Sequence, residues 1–204
     1  MVATAKKGYH HGNLRAALIE AGLALIAEKG VRALTLREIG ARLGVSRMAA
    51  YRHFDDKAKL LAAIREVGFE RFARALEEGR DGAGPQIAAR FTGMGVAYVQ
   101  FARENPAYFE VMFASAPAEG EPQEKCEAEQ RAFQILEETI IEGQKQGEFR
   151  QGDARLMACA AWSLVHGIGA LKLDQLPFAH GMAPSQFVSA CTAVLGSGML
   201  AAKK

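Results

Sequence analysis

Apolar residues return every three or four positions along almost all of this 204-residue chain, and no run alternates with period two. Leu14, Leu18, Ala21 and Leu25 are spaced four, three and four; Ile87, Phe91, Met94, Tyr98 and Phe101 are spaced four, three, four and three. Side chains share a helix face about every 3.6 residues, whereas a half-buried strand alternates in and out. The pattern therefore predicts helices and leaves no segment for a sheet. An all-α fold of about nine helices follows.

Breaks in the periodicity divide those helices. Lys29-Gly30 stops the first, with a basic last residue and a glycine after it. Thr35-Leu36-Arg37-Glu38 has the form of a capping box, Thr35 as N-cap and Glu38 reaching back, and opens a short helix to residue 43. Ser46 is placed to cap the next, over 47–53. Asp55 or Asp56 can open a long helix over roughly 56–78, with Leu61, Ile64, Gly68, Phe72 and Ala75 on one face. Beyond a Gly-rich break, Pro85 suits a first helical turn. Further helices are expected at 107–114, 123–146, 153–173 and 185–202, with an acidic loop at 115–122.

Charge is unevenly spread. Residues 1–57 hold ten Lys/Arg against five Asp/Glu, and residues 58–204 hold fifteen against eighteen, so a net +5 and a net −3 make the overall +2. A basic first quarter on an acidic remainder suits contact with a polyanion.

The segment Gly44-Val45-Ser46-Arg47-Met48-Ala49-Ala50-Tyr51-Arg52-His53-Phe54 sharpens that. Two short helices joined by a three-residue turn with a glycine make a helix-turn-helix. Gly44 supplies positive φ, Gly40 is small where the two helices approach, and Ile39, Leu43, Val45 and Ala50 can pack. That leaves Ser46, Arg47, Met48, Tyr51, Arg52 and His53 on the outer face. Arginine can grip a guanine edge or a phosphate with two N–H groups, and hydroxyls can donate to phosphate. Lys57 stands at the start of the next helix, where the free N–H groups also favour an anion. Such a face is built for a DNA major groove.

Residues 10–62 resemble the N-terminal domain of the TetR/AcrR family of bacterial transcriptional regulators. The likeness rests on Thr35-Leu36-Arg37-Glu38-Ile39-Gly40, the turn Gly44-Val45-Ser46, the close Tyr51-Arg52-His53-Phe54, and Lys57. Met48-Ala49 stands where the family often has Gly or Ala and then Thr, which bears on which bases are read. The resemblance implies that Tyr51, His53 and Lys57 hold phosphates, that Arg47, Met48 and Arg52 face bases or adjacent phosphates, and that Thr35 touches backbone. It gives two domains: 8–57, a three-helix DNA-binding head, and 58–204, a helical effector-binding and dimerisation domain joined to it by the long helix. The arm Lys6, Lys7, Tyr9, His10, His11 is either a further DNA contact or a tail.

The second part carries looser marks of the same family, Trp162-x-x-x-His166-Gly167 and Gly147-Glu148-Phe149. They imply a homodimer through helices 154–173 and 185–202. They also imply a small apolar or amphipathic effector, with Phe91, Met94, Tyr98, Phe101, Phe109, Met112, Phe133, Trp162 and His166 as candidate pocket residues, although any single residue of such a set is more often plain core. The expected function is a repressor that such a ligand releases from a palindromic operator. An effector-independent architectural DNA binder and an activator remain open alternatives.

No Gly-rich phosphate loop, HExxH or GxSxG occurs, so an enzyme is not expected and no catalytic residue is assigned. Cys126, Cys159 and Cys191 form no metal-binding pair and are expected as buried structural thiols. No metal or cofactor is expected. No run reaches about 18 uninterrupted apolar residues and the N-terminal stretch has no apolar core, so a cytoplasmic protein without membrane contact is expected.

Overall fold

The computed structural model describes residues 14–113, 126–175, 179 and 181–199. Among them are nine α-helices: α1 (Leu14–Lys29), α2 (Leu36–Leu43), α3 (Arg47–Tyr51), α4 (Lys57–Asp81), α5 (Ile87–Glu104), α6 (Pro106–Phe113), α7 (Glu127–Gln146), α8 (Ala154–Leu171) and α9 (Pro184–Ser197). Two 3-10 turns, Val31–Ala33 and Leu173–Gln175, complete the regular structure. The fold is all-α, as the periodicity requires. The N-terminal arm and the 115–122 loop lie outside the described residues.

The chain divides into two units, Met1–Arg65 and Glu66–Lys204. In the first, Leu18, Leu25, Leu34, Ile39, Ala50, Leu60 and Ile64 are fully buried. The starts of α2, α3 and α4 are closed by side chains expected there, with Asp56 the one of the two aspartates that caps α4. Thr35 Oγ1 accepts from Glu38 N–H at 3.2 Å, Ser46 Oγ from Ala49 N–H at 3.2 Å, and Asp56 Oδ1 from Lys59 N–H at 2.8 Å. The expected capping box is only half made. The Glu38 carboxylate lies 3.7 Å from both Lys29 and Arg42, so two cations draw it away from the Thr35 N–H.

Two further expectations change. Gly44 ends α2 at φ 66°, the left-handed turn that favours glycine. At Gly40, by contrast, a Cβ would meet only ordinary contacts, Val45 O at 3.5 Å and Ala50 Cβ at 3.9 Å, so close approach does not demand glycine there. The helix expected over 47–53 stops at Tyr51 and continues as a turn.

In the second unit α5 is central, with Ile87, Phe91, Met94, Tyr98 and Phe101 all buried. On α4 the buried stripe is wider than the one read from spacing. Ile64, Gly68 and Phe72 are buried as expected and Leu61 and Ala75 only half so, while Leu60, Phe69 and Leu76 are buried too. A 25-residue helix whose two ends lie in different units buries more than one stripe. α4 and α5 cross at two glycines. A Cβ on Gly79 would lie 2.8 Å from Gly93 O and 2.6 Å from Ala97 Cβ.

Pro85 precedes its helix instead of opening it, since α5 starts at Ile87 behind the N-cap Gln86. The start of α5 is tied instead to the Gly147-Glu148-Phe149 turn. Glu148 Oε2 accepts from Ala88 N–H at 3.3 Å, and the Phe149 ring is buried 5.7 Å from Phe91. Gly147 supplies the left-handed turn at φ 74°. Asp153 then caps α8 through Leu156 N–H at 3.0 Å.

The cysteine expectation fails: Cys159 is exposed and Cys126 and Cys191 are half-buried. α8 is also more apolar than the sequence reading allowed. Its 18 residues have a mean hydropathy of 1.3, long and apolar enough for a membrane span by length and composition, although Arg155, Ser163 and His166 interrupt it.

Candidate nucleic-acid interface and effector pocket

In the N-terminal unit α3 is anchored by one side and open on the other. Ala50 is fully buried, whereas Ser46, Arg47, Met48, Tyr51, Arg52 and His53 are exposed, Met48 to 67%. The Arg47 guanidinium lies over the Tyr51 ring at 5.2 Å from its centroid, which steers both side chains along the helix face. The Thr35 and Ser46 oxygens accept backbone N–H groups and keep their own O–H free to donate outward.

Lys57 is already engaged within the unit. Its Nζ donates to Val31 O at 2.8 Å and Arg32 O at 3.4 Å, closing the end of the 3-10 turn. An ammonium has three donors, so one remains for a phosphate.

Not all of the positive charge is available to a partner. Arg42 on α2 makes a two-pronged pair with Glu28 on α1, both contacts at 2.8 Å, which holds the Glu28 carboxyl below its ordinary range. The Arg15 guanidinium lies 5.4 Å from the centre of the Phe54 ring. Arg37, exposed in the first turn of α2, was not singled out from sequence. Its place beside Thr35 in the helix-turn-helix was the signal available.

In the C-terminal unit a narrow cavity of about 20 Å³ lies among Leu76, Phe91, Met94, Gly95, Tyr98, Leu136, Ala161, Trp162, Val165, Thr192 and Leu195. That is room for about one water. No charged side chain lines it. Of the nine residues read from sequence, Phe91, Met94, Tyr98 and Trp162 face this cavity. Phe133 sits outside it, 5.8 Å from Trp162, on a surface groove. Phe101 packs on Phe72 at 5.1 Å, and Met112 is buried near Gly68; neither lines the cavity or the groove.

His166 is a satisfied histidine. Tyr98 Oη lies 2.8 Å from its Nδ1, and its ring stacks on Phe109 at 5.5 Å and meets Phe113 edge-on at 4.8 Å. Burial pushes the Tyr98 phenol up and the His166 imidazolium down, so both are neutral at pH 7. Phe72 was missed as the hub of this cluster. Its ring lies 4.9 Å from Tyr98 and 5.7 Å from Trp162. Helix spacing places Phe72 on a buried face but does not show which rings other helices bring to it. No group of three or more metal-ligating side chains occurs among the described residues.

Two regions of the chain match family models. Residues 18–64 match the model for bacterial regulatory proteins of the tetR family, and residues 91–195 match that for the tetracyclin repressor-like C-terminal domain. The chain belongs to the TetR family of transcriptional regulators. A solved structure of a Rhodococcus sp. RHA1 protein of unknown function superposes with a TM-score of 0.84 at 30% identity, covering 96% of this chain and 100% of that one. The Marinobacter nauticus nucleoid occlusion factor SlmA is 28% identical over 142 residues, 68% of this chain and 70% of that protein. The Vibrio anguillarum tetracycline repressor protein class G is 44% identical over 62 residues, only 30% of either chain. Family and fold together make this a DNA-binding regulatory protein, of a kind that typically represses.

Proposed function

We propose that this TetR-family regulator is a homodimeric repressor, released from a palindromic operator by a small apolar or amphipathic ligand. The observation that carries the reading is the outer face of α3, where donors and one methionine stand exposed on a helix held from behind by Ala50. In a major groove, Arg47, Met48 and Arg52 meet base edges, while Tyr51, His53 and Lys57, with the hydroxyls of Thr35 and Ser46, hold phosphates.

A second copy supplies the other half-site. Support comes from α8 and α9, whose Leu156, Leu171 and Val194 are 68%, 66% and 75% exposed. Only 28% of α8 is buried within the subunit. Apolar helices left so bare call for a partner, and small residues at Ala160, Gly167 and Ala170 suit close packing of helices. The reading places dimerisation on α8 and α9, effector binding in the C-terminal unit around Trp162, and DNA binding within residues 8–57. A ligand that prefers the state in which the two heads are wrongly spaced lowers operator affinity by its differential binding. A regulator of chromosomal genes works where the DNA is, in the cytoplasm.

Two observations favour the effector-independent alternative. The inner cavity takes about one water, and one relative is named for nucleoid occlusion and not for a drug. Sedimentation of the wild type and of the Leu156→Glu/Val194→Glu variant tests the dimer. A wild-type dimer and a monomeric variant that loses cooperative operator binding support the proposal. A wild-type monomer that binds DNA with full specificity contradicts it.

A further inference from the structure

Trp162 separates two spaces. On one side is the inner cavity, too small for anything beyond a water. On the other is a groove of about 790 Å³ between α7 and α8, within the range of about 300–1,000 Å³ usual for ligand sites. Phe113, Phe133 and Trp162 form its floor, and Gln134, Glu137, Arg155 and Cys159 stand on its rim. Trp162 is the residue common to both linings among the described residues.

The floor is three rings at angles to one another. Phe133 and Trp162 are 5.8 Å apart at 52°, and Phe113 and Trp162 are 6.4 Å apart at 67°. A flat aromatic guest can stack on one such ring and present its edge to the next. Of the charged side chains that line the groove, Arg155 and Glu137 are paired, and Glu129 is a further carboxylate. Arg155 lies 3.5 Å from Glu137, and its guanidinium sits over the Phe133 ring at 5.5 Å. An anion would meet two carboxylates and a cation already engaged with one of them, so the groove disfavours an anionic guest, and its aromatic floor favours a neutral one.

The groove is also separate from the bare apolar face of α8. Arg155, Cys159, Trp162 and His166 recur at four, three and four on one stripe, while Leu156, Ala160, Ser163 and Gly167 recur on another. We propose that this groove is the binding site for the regulator's effector, and that the effector is a flat, uncharged aromatic molecule held against Trp162. The proposal rests on the effector-responsive reading above.

The chain offers two reporters at the site. Trp162 is its sole tryptophan, and Cys159 is exposed on the rim. The experiment uses the full-length dimer and the uncharged dye N-phenyl-1-naphthylamine. It follows energy transfer from Trp162 and the rate at which a disulfide reagent labels Cys159, with Cys126 and Cys191 replaced by serine. Saturable energy transfer is expected. At ten times the dye's Kd, Cys159 labelling should slow about tenfold, because only the free protein reacts. Phe133→Ser, at a half-buried position, should weaken the dye roughly tenfold. Absence of saturable binding overturns the proposal, as does energy transfer with Cys159 unprotected, which puts the dye elsewhere. Protection of Cys159 with operator affinity unchanged keeps the groove as a site and removes the effector-release reading instead.

Discussion

Tyr98 on α5 and His166 on α8 are joined through Oη and Nδ1 at 2.8 Å, inside a ring of aromatic side chains. Tyr98 is 2% exposed, and in the tautomer that carries the histidine proton on Nε2 its O–H donates to Nδ1. The bond ties the central helix of the C-terminal unit to the helix that carries Trp162.

Replacing Tyr98 by Phe keeps the ring contacts and leaves Nδ1 of a half-buried histidine unpaired. A loss of about 1–3 kcal/mol is expected in denaturant unfolding, the usual cost of orphaning one partner. A loss below the error of the measurement would mean that water replaces the phenol.

The same pair sets a pH dependence. Burial lowers the folded pKa of His166 below the ordinary value of 6.5. A histidine held neutral in the fold contributes stability that is present above its unfolded pKa and lost as pH falls through its folded pKa. Wild-type protein should therefore lose stability from about pH 6.5 downward, and His166→Gln should lose less over the same range. Equal slopes for the two proteins would assign the acid loss to other groups.

Gly79 and Gly93 set how closely α4 and α5 cross. Gly79→Ala forces a Cβ to within 2.8 Å of the Gly93 carbonyl oxygen, a backbone atom that cannot turn aside. The expected cost is about 1–3 kcal/mol, typical of overpacking, read as a lowered Tm. Gly40→Ala, where space exists, should leave Tm almost unchanged or raise it through better helix propensity.

Lys57 bears on stability and, in the proposed reading, on DNA contact. Lys57→Ala removes the donor to Val31 O and Arg32 O, at about 1.5–3 kcal/mol for a charged donor. It should also weaken all DNA alike and flatten the salt slope by about one unit. Arg47→Ala should instead lower the ratio of specific to random binding with little loss of stability. Equal effects of the two changes on specific and random DNA would show that base reader and phosphate clamp are misassigned.

Helix count and type were legible in the sequence because period and caps are local: Thr35, Ser46, Asp56 and Asp153 all close the helices they were expected to close. What depends on a distant partner was not. Glu38 failed to complete its box because Lys29 and Arg42 stand nearby in space. Phe133 was grouped with the inner cavity, yet it lines an outer groove, since periodicity does not say which neighbour a half-buried face meets. Lys57 was read only as a phosphate contact, and the fold alone brings Val31 O and Arg32 O to it. The cysteines were assigned from residue type alone, which does not show how much of a helix the subunit leaves bare, as at Cys159 on α8.

The central claim is that two copies of α3 read a palindrome. Its most direct measurement is selection of bound sequences from random duplex DNA by the purified full-length protein at about 150 mM salt, where non-specific binding is weak. The account predicts enrichment of a palindrome whose half-sites lie about one helical turn apart or a multiple of it, and loss of that enrichment in Arg47→Ala. Binding without any enriched sequence, or an enriched site that Arg47→Ala leaves unchanged, would contradict it.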